Sequence, residues 1–374
     1  MLFRSDLIST ITDAEIHRYL EFLALDAVYI CLNDKIIRVP DSKQEIFQTT
    51  VVEVREKLFI KNFLTEMIEQ KSVPIEETKL YQQFMNQPEN ERSFRKILKE
   101  RKLSETSQDL IIYGLCLSST SDISDPYVAV GRLQKYINSA GKYGSSPFIL
   151  CRYGFGDIAQ GFARSASIVG TIFLCNHSFN TITKNEELNE FNIACESPSF
   201  RNDPVPFTVR CKNIIKSSFF ESNQNETKRI DYLQFFTPNE LEYSRKSYIS
   251  LPNIASQAIQ SIIMTDDRMT TISLCVEHNE NDKENVLEIA LSKIVPNYEE
   301  IGVFMVKYSL NLNQSKSFKT SENGIIITSD GTIGINADVD LSVKEAESIC
   351  GEKLFKDDEI VGQVTEEDLN RINQ

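Results

Sequence analysis

The pattern of apolar and polar positions divides the chain into a helical stretch followed by a stretch rich in strands. Between residues 53 and 149, apolar residues recur near helical spacing, as at Val54, Leu58, Phe63 and Met67. This pattern predicts a helical domain over 53–149. After Ser146, short apolar runs alternate with loops rich in Asn, Asp and Glu. They predict strands at PFILC, TIFLC, FTVRCKNII, AIQSIIMT, TTISLCVE, IGVFMVKYSL and GIIIT.

Local signals at both ends add further elements. Thr12 and Glu15 have capping-box spacing before IHRYLEFL, which predicts a first helix there. The runs AVYICL and KIIRV flank Asn33-Asp34 and predict a β-hairpin. Ser342 and Glu345 form a second capping box before another helix, VKEAESICGEKLF.

Composition excludes several classes of protein. The chain is 41% hydrophobic and 25% charged, with a net charge of −14, which argues against non-specific nucleic-acid binding. Its eight cysteines form no C-x-x-C pair, which favours reduced thiols over a zinc site or disulfides. Neither a signal peptide nor a membrane-length apolar run is visible. We expect a cytoplasmic protein.

One glycine-rich loop raises the possibility of a nucleotide site. It has the form G-x-G-x-x-A at Gly154, Gly156 and Ala159, between a predicted strand and a predicted helix. However, Asp157 would repel a pyrophosphate, and no acidic residue for the ribose follows about 20 positions later. We therefore expect no flavin or nicotinamide cofactor at this loop.

The helix after the loop carries a polar stripe. At 3.6 residues per turn, Asp157, Gln160 and Arg164 fall on one face, while Ile158 and Phe162 fall on another. Gly161 lies beside the polar face, where it would let a partner approach. The stripe is either an ordinary solvated face or a binding surface, and spacing alone leaves both open.

The segment SPFILCRYGFGDIAQGFARSASIVGTIFL resembles the hallmark of the Rab escort protein and Rab GDP-dissociation inhibitor family, S-P-[FY]-L-x-P-x-Y-G-x-G-E-L-P-Q-x-F-x-R. The positions that agree include Gly154, Gly156, Gln160, Phe162 and Arg164. Three positions differ: Asp157 stands where Glu is usual, Ala159 replaces Pro, and Arg152 replaces a small or apolar residue. RYLEFLALDAVYICLNDKIIRVPDSKQEIF resembles a second family segment. KSYISLPNIASQAIQSIIMTDDRM and GIIITSDGTIGINADVDLSVKEAESIC favour the escort branch.

The resemblance implies a mixed α/β fold with two domains. The larger domain would be related to FAD-binding monooxygenases without the flavin, and the smaller domain would be all-helical. The chain aligns from part-way through the family's first domain, so we expect the large domain to lack its first βαβ unit. The expected segments are 1–52 and 150–355 for the large domain, 53–149 for the helical domain, and 356–374 for an acidic tail.

The function implied is that of an accessory protein without catalytic residues, metal or cofactor. Such a protein binds a GDP-bound Rab GTPase, presents it to the Rab geranylgeranyltransferase heterodimer, and delivers the lipidated product from the cytosol through transient membrane contact. The Rab-binding residues implied are Tyr153, Asp157, Gln160, Gly161 and Arg164. Residues expected to shelter the geranylgeranyl lipid, or to be ordinary core, are Phe59, Phe63, Leu64, Met67, Ile111 and Leu115.

Three alternatives remain open at this point. The first is a Rab GDP-dissociation inhibitor that recycles prenylated Rab. The second is a flavin- or nicotinamide-dependent oxidoreductase. The third is a truncated, non-functional product.

Overall fold

A seven-stranded sheet forms the centre of the molecule. The computed structural model describes residues 6–41, 43–142, 144, 146–154, 156–197, 205–217, 227–313, 319–320 and 326–328. The strand order is β13-β9-β12-β11-β10-β2-β3, and all neighbours are antiparallel except β10 and β2. Its strands are β2 (Ala27–Leu32), β3 (Lys35–Arg38), β9 (Thr227–Thr237), β10 (Lys246–Leu251), β11 (Ile259–Thr265), β12 (Thr270–Glu277) and β13 (Phe304–Asn313).

Three small sheets accompany the large one. A two-stranded antiparallel sheet pairs β1 with β4, and two three-stranded sheets have the orders β5-β6-β7 and β14-β15-β8. Their strands are β1 (Phe22–Ala24), β4 (Ile149–Cys151), β5 (Ser178–Asn185), β6 (Glu190–Ser197), β7 (Val205–Cys211), β8 (Ile215–Ser217), β14 (Lys319–Thr320) and β15 (Ile326–Thr328).

Most of the helices lie between the first hairpin and β4. The α-helices of the described residues are α1 (Asp6–Asp13), α2 (Lys43–Gln48), α3 (Val54–Glu69), α4 (Lys79–Met85), α5 (Phe94–Glu100), α6 (Glu105–Asp109), α7 (Pro126–Ser139), α8 (Gly156–Ile168), α9 (Val286–Ile294) and α10 (Tyr298–Ile301). A π-helical segment, Leu110–Leu115, continues α6. Within the described part of the chain, no helix is long and apolar enough to cross a membrane.

The predicted hairpin is confirmed. β2 and β3 pair antiparallel around Asn33 and Asp34, whose φ angles of 48° and 62° lie in the left-handed region. Asn and Asp tolerate this conformation better than other non-glycine residues, which is why this dipeptide marks two-residue hairpin turns.

Helix α3 forms where predicted, but it buries a different face. Phe63 and Met67 are buried, together with Ile60 and Lys57, whereas Val54 and Leu58 are exposed. The five residues from Leu58 to Phe63 correspond to about 140° beyond a full turn, so the two apolar pairs cannot share one face. The buried face packs into the main core with α4, α5 and α7.

The predicted first helix is wrong in its position. Thr12 lies in the last turn of α1, where its hydroxyl donates to the carbonyl of Ile8 at 2.8 Å instead of capping a new helix. Glu15 has a φ of 54°, which ends the helical path. A 3₁₀ turn, Ile16–Tyr19, follows and leads into strand β1.

The prediction of a strand at TIFLC is also wrong. Residues 171–174 follow α8 without regular structure, and Ile172, Phe173 and Leu174 are exposed. A strand needs a neighbour to pair its backbone groups, and no described segment provides one here. The second capping box, Cys350 and the acidic tail lie outside the described residues.

A helix that the apolar pattern did not reveal covers the other face of the large sheet. α9 buries Val286, Leu287, Ala290, Leu291 and Ile294 against the sheet. This second core includes Leu233, Phe235, Ile263 and Ile272. The sheet is therefore covered by helices α2 to α7 on one side and by α9 on the other.

Candidate functional site

The hallmark segment enters its helix through a tight turn. β4 pairs with β1, and the amide of Arg152 donates to the carbonyl of Glu21 at 2.9 Å. The chain then turns at Gly154, whose φ of 95° suits glycine, and its amide donates to Cys151 at 3.1 Å. This turn leaves Tyr153 exposed immediately before α8 begins at Gly156.

Helix α8 exposes the polar stripe and buries the apolar one at its N-terminal end. Gln160 and Arg164 are exposed and Asp157 is half-buried. Ile158 and Phe162 pack into a small core with α1 and the 3₁₀ turn. Tyr153, Asp157, Gln160, Arg164 and Tyr19 are called the α8 surface below. From Asp157 to Arg164 it extends about 10 Å along the helix.

The interpretation of Gly161 as an approach point for a partner is wrong. Gly161 is buried, and a Cβ atom built on it would lie 2.5 Å from the Cγ2 of Ile16 and 3.6 Å from the Cδ2 of Leu20. The glycine lets α8 lie close to the chain's own 3₁₀ turn. Its contribution to the α8 surface is therefore indirect, through the position of that turn.

That close approach brings Tyr19 to Arg164. The guanidinium carbon of Arg164 lies 4.4 Å from the centre of the Tyr19 ring, which is cation–π distance. No carboxylate among the described residues forms an ion pair with Arg164, and both side chains are exposed. Arg164 is thus held by a ring and keeps its hydrogen-bond donors for a partner. The sequence pattern of α8 did not indicate Tyr19, although it lies in the second family-like segment.

A second arginine orders the beginning of the α8 surface. Arg152 forms an ion pair with Glu21 at 3.1 Å, and its guanidinium carbon lies 5.8 Å from the centre of the Tyr153 ring. Both charged groups are more than half exposed, so this pair contributes little to stability. Its effect is to restrict where the exposed Tyr153 ring lies.

The nearby thiol is not suited to nucleophilic chemistry. Burial raises the pKa of Cys151 to about 11, and the negative charge of Asp157 contributes in the same direction. The thiol therefore stays protonated near neutral pH, whereas the thiolate is the reactive form of cysteine.

The glycine loop does not fit a dinucleotide. Such a loop joins a strand to a helix within a parallel βαβ unit. Here β4 pairs antiparallel with β1, and residues 171–174 after α8 form no strand. Asp157 also lies in the first turn of the helix, where a pyrophosphate would have to bind. These residues therefore lack the framework and the charge that a dinucleotide requires.

An apolar cavity of about 300 Å³ lies among the helices on the far side of the sheet. Its walls come from α2, α3, the π-helical segment and α7. Of the residues considered for a lipid, Leu64, Ile111 and Leu115 line the cavity. Phe63 and Met67 are instead fully buried in the core, and Phe59 packs against that core.

The π-helical segment shapes one wall of this cavity. It contributes Leu110, Ile111 and Leu115, and π-helical turns are frequent at functional sites. A Cβ atom on Gly114 would lie 2.8 Å from the Cγ2 of Val39, which also lines the cavity. The glycine allows the segment to lie directly against the end of β3.

A third cluster has the residue types of a hydrolase site but the wrong order. Asp231 accepts hydrogen bonds from Ser309 at 2.5 Å, from His278 at 2.8 Å and from Arg229 at 2.8 Å. In a hydrolytic triad the histidine stands between the serine and the acid. Here the carboxylate is central, so the histidine cannot take the serine proton. The cluster instead ties β9, β12 and β13 together.

Comparisons with known proteins place this geometry in a family. The family model described as GDP dissociation inhibitor matches residues 1–323. Rab proteins geranylgeranyltransferase component A of Drosophila melanogaster is 25% identical over 212 residues, which are 57% of this chain and 38% of the relative. The Saccharomyces cerevisiae protein of the same name is 29% identical over 186 residues, 48% of this chain and 29% of the relative. The chain thus matches less than half the length of these relatives.

Solved structures agree on the fold. A Rab GDI from Plasmodium falciparum superposes with a TM-score of 0.70 and 18% identity, over 95% of this chain and 82% of that chain. A putrescine oxidase superposes with a TM-score of 0.52 and 14% identity, over 94% and 87%. The mixed α/β class and its likeness to cofactor-binding oxidoreductases are confirmed. From the family match across 1–323, the chain belongs to the GDP dissociation inhibitor family.

Proposed function

We propose that this chain binds a GDP-bound Rab GTPase through the α8 surface, as a non-catalytic accessory protein. The observation that carries the proposal is Arg164, which is exposed, held over Tyr19, and without a carboxylate partner among the described residues. Arginine offers several donors in a plane, which suits carboxylates and backbone carbonyls of a protein partner. Asp157, Gln160 and Tyr153 border it along about 10 Å of surface.

The lipid part of the proposal depends on the apolar cavity. A geranylgeranyl group left in water costs roughly 0.8 kcal/mol for each CH₂ that could be buried. The cavity beside α3 presents Leu64, Ile111 and Leu115 to such a chain. The α8 surface would thus bind the GTPase while the helical layer shelters its lipid.

Within this family we favour escort over inhibition. Two relatives carry the name geranylgeranyltransferase component A, and two segments of the sequence resemble the escort branch. The escort hypothesis adds a partner, the Rab geranylgeranyltransferase heterodimer, and places the protein in the cytosol with transient membrane contact. The inhibitor hypothesis needs only prenylated Rab and a membrane from which to extract it.

One experiment separates these functions. Immobilised chain is incubated with GDP-loaded Rab, with and without the transferase heterodimer. A ternary complex that forms only when Rab is present supports escort. Binding of Rab alone, with the transferase excluded, supports the inhibitor. If GDP-loaded Rab is not retained under either condition, the proposal is wrong.

The oxidoreductase alternative is disfavoured by the loop geometry. The antiparallel pairing of β4 and the position of Asp157 both oppose a dinucleotide at Gly154–Gly156. Purified protein that releases a stoichiometric flavin on denaturation would restore this alternative.

A further inference from the structure

We infer that α2 is a gate over the apolar cavity and that Lys57 holds it closed. The inference deepens the lipid-sheltering part of the proposed function and rests on it. α2 contributes Ile46 and Phe47 to the cavity wall, and Phe47 is 53% exposed, so the wall is thin at this point. The opposite walls, at Ile60, Leu110 and Ile111, are buried in the main core.

Two polar contacts hold α2 in place at its two ends. At its C-terminal end, Lys57 of α3 donates to the backbone carbonyl of Phe47 at 2.8 Å. At its N-terminal end, Arg38 pairs with Asp41 and with Glu45, each at 3.3 Å. The second contact is partly exposed and therefore weak.

Lys57 is unusual because it is only 8% exposed. A lysine is rarely buried unless its ammonium group is hydrogen-bonded, since removing the charge from water is costly. Its recorded partner is a carbonyl of α2 and not a carboxylate. The charge is therefore accommodated only while α2 is in place, and displacement of α2 would expose it to water.

α2 is also the wall most able to move. It has six residues, and helices this short are not stable in water without packing. α3 has sixteen residues and buries Ile60, Phe63 and Met67 in the core. Opening at α2 would give an apolar chain access to the cavity without disturbing that core.

The test compares three variants with the wild type. Lys57→Met keeps the apolar stem but removes the donor, and Lys57→Arg retains a donor. Lys99→Met changes an exposed lysine on α5 that does not line the cavity. The ligand probe is a dansyl-labelled geranylgeranyl thioether, followed by stopped-flow fluorescence. Hydrogen exchange of the amides of residues 46–49 reports on α2 without any ligand.

For Lys57→Met we expect probe association and dissociation rates to rise about tenfold, because a hydrogen bond to a charged group contributes at least that factor. Exchange of the α2 amides should accelerate to a similar extent. Lys57→Arg should stay within about threefold of wild type, and Lys99→Met should match it.

Unchanged rates and unchanged exchange in Lys57→Met would overturn the gate while leaving the lipid cavity in place. If the wild type does not bind the probe, the lipid-sheltering function fails and the gate fails with it. Rab binding through the α8 surface would then be judged by the separate retention experiment.

Discussion

Arg164 and Tyr19 come from segments far apart in the sequence, yet the guanidinium carbon lies 4.4 Å from the centre of the ring. The contact is possible because Gly161 lets α8 lie against the 3₁₀ turn that carries Tyr19. Arg164 is therefore oriented before any partner arrives. A preoriented side chain loses less conformational entropy on binding, which favours its use as an interface anchor.

Replacing Tyr19 should weaken binding of GDP-bound Rab without unfolding the protein. We expect Tyr19→Leu to cost about 0.5–1 kcal/mol, the usual contribution of an exposed cation–π contact. Tyr19→Phe keeps the ring and should bind within error of wild type. Isothermal titration calorimetry measures both variants. Equal losses for the two would point to the hydroxyl group instead of the ring.

Adding a methyl group at Gly161 should destabilise the fold. The new Cβ would overlap Ile16, and overpacking of this kind costs about 1–3 kcal/mol. Gly131 on α7 is a matched control, because a Cβ there would lie 3.6 Å from Ile75, an ordinary contact. Gly131→Ala should be neutral or stabilising, since alanine favours a helix. Urea unfolding of both variants tests this, and equal midpoints would be contrary to it.

Filling the cavity should separate lipid binding from Rab binding. Leu64→Trp places a large ring in the cavity, whereas Leu58→Trp places the same ring on the exposed face of the same helix. We expect Leu64→Trp to weaken binding of prenylated Rab at least tenfold and to leave unprenylated Rab unaffected. Leu58→Trp should change neither. An equal loss for both forms of Rab would mean that the cavity is not a lipid site.

Asp231 should make stability depend on pH in the acid range. Partial burial opposes its ionisation, but hydrogen bonds from Ser309, His278 and Arg229 outweigh burial and lower the pKa below 3.8. A lowered folded-state pKa contributes stability that is present above the unfolded value and lost as pH falls through the folded value. Below about pH 4, the melting temperature of the wild type should fall more steeply than that of Asp231→Asn. Parallel pH profiles would contradict this.

Local signals predicted local structure well and tertiary choices poorly. The hairpin at Asn33-Asp34 follows from the left-handed conformation of two adjacent residues, which no distant contact needs to enforce. The buried face of α3 depends on which neighbours pack against it, so Val54 and Leu58 were assigned to the wrong side. TIFLC has strand composition, but pairing requires a second strand that the pattern does not contain.

The candidate site was predictable along α8 but not across it. Helical spacing placed Asp157, Gln160 and Arg164 on one face, and the structure exposes Gln160 and Arg164. The same spacing could not show that Gly161 faces Ile16, because that contact joins separate segments. Tyr19 was missed for the same reason, and the predicted first helix around it concealed the 3₁₀ turn.

The central claim is that the α8 surface binds GDP-bound Rab through Arg164, and a titration of three variants tests it most directly. Arg164→Ala should cost about 2 kcal/mol or more of binding free energy, as expected for an interface anchor, with an unchanged melting curve. Asp157→Ala should cost less, because Asp157 is shorter than the glutamate usual in the resembling family, and Arg55→Ala, an exposed arginine on α3, should cost nothing measurable. If Arg164→Ala binds GDP-bound Rab as tightly as wild type, the stripe is only a solvated helix face and the account is contradicted.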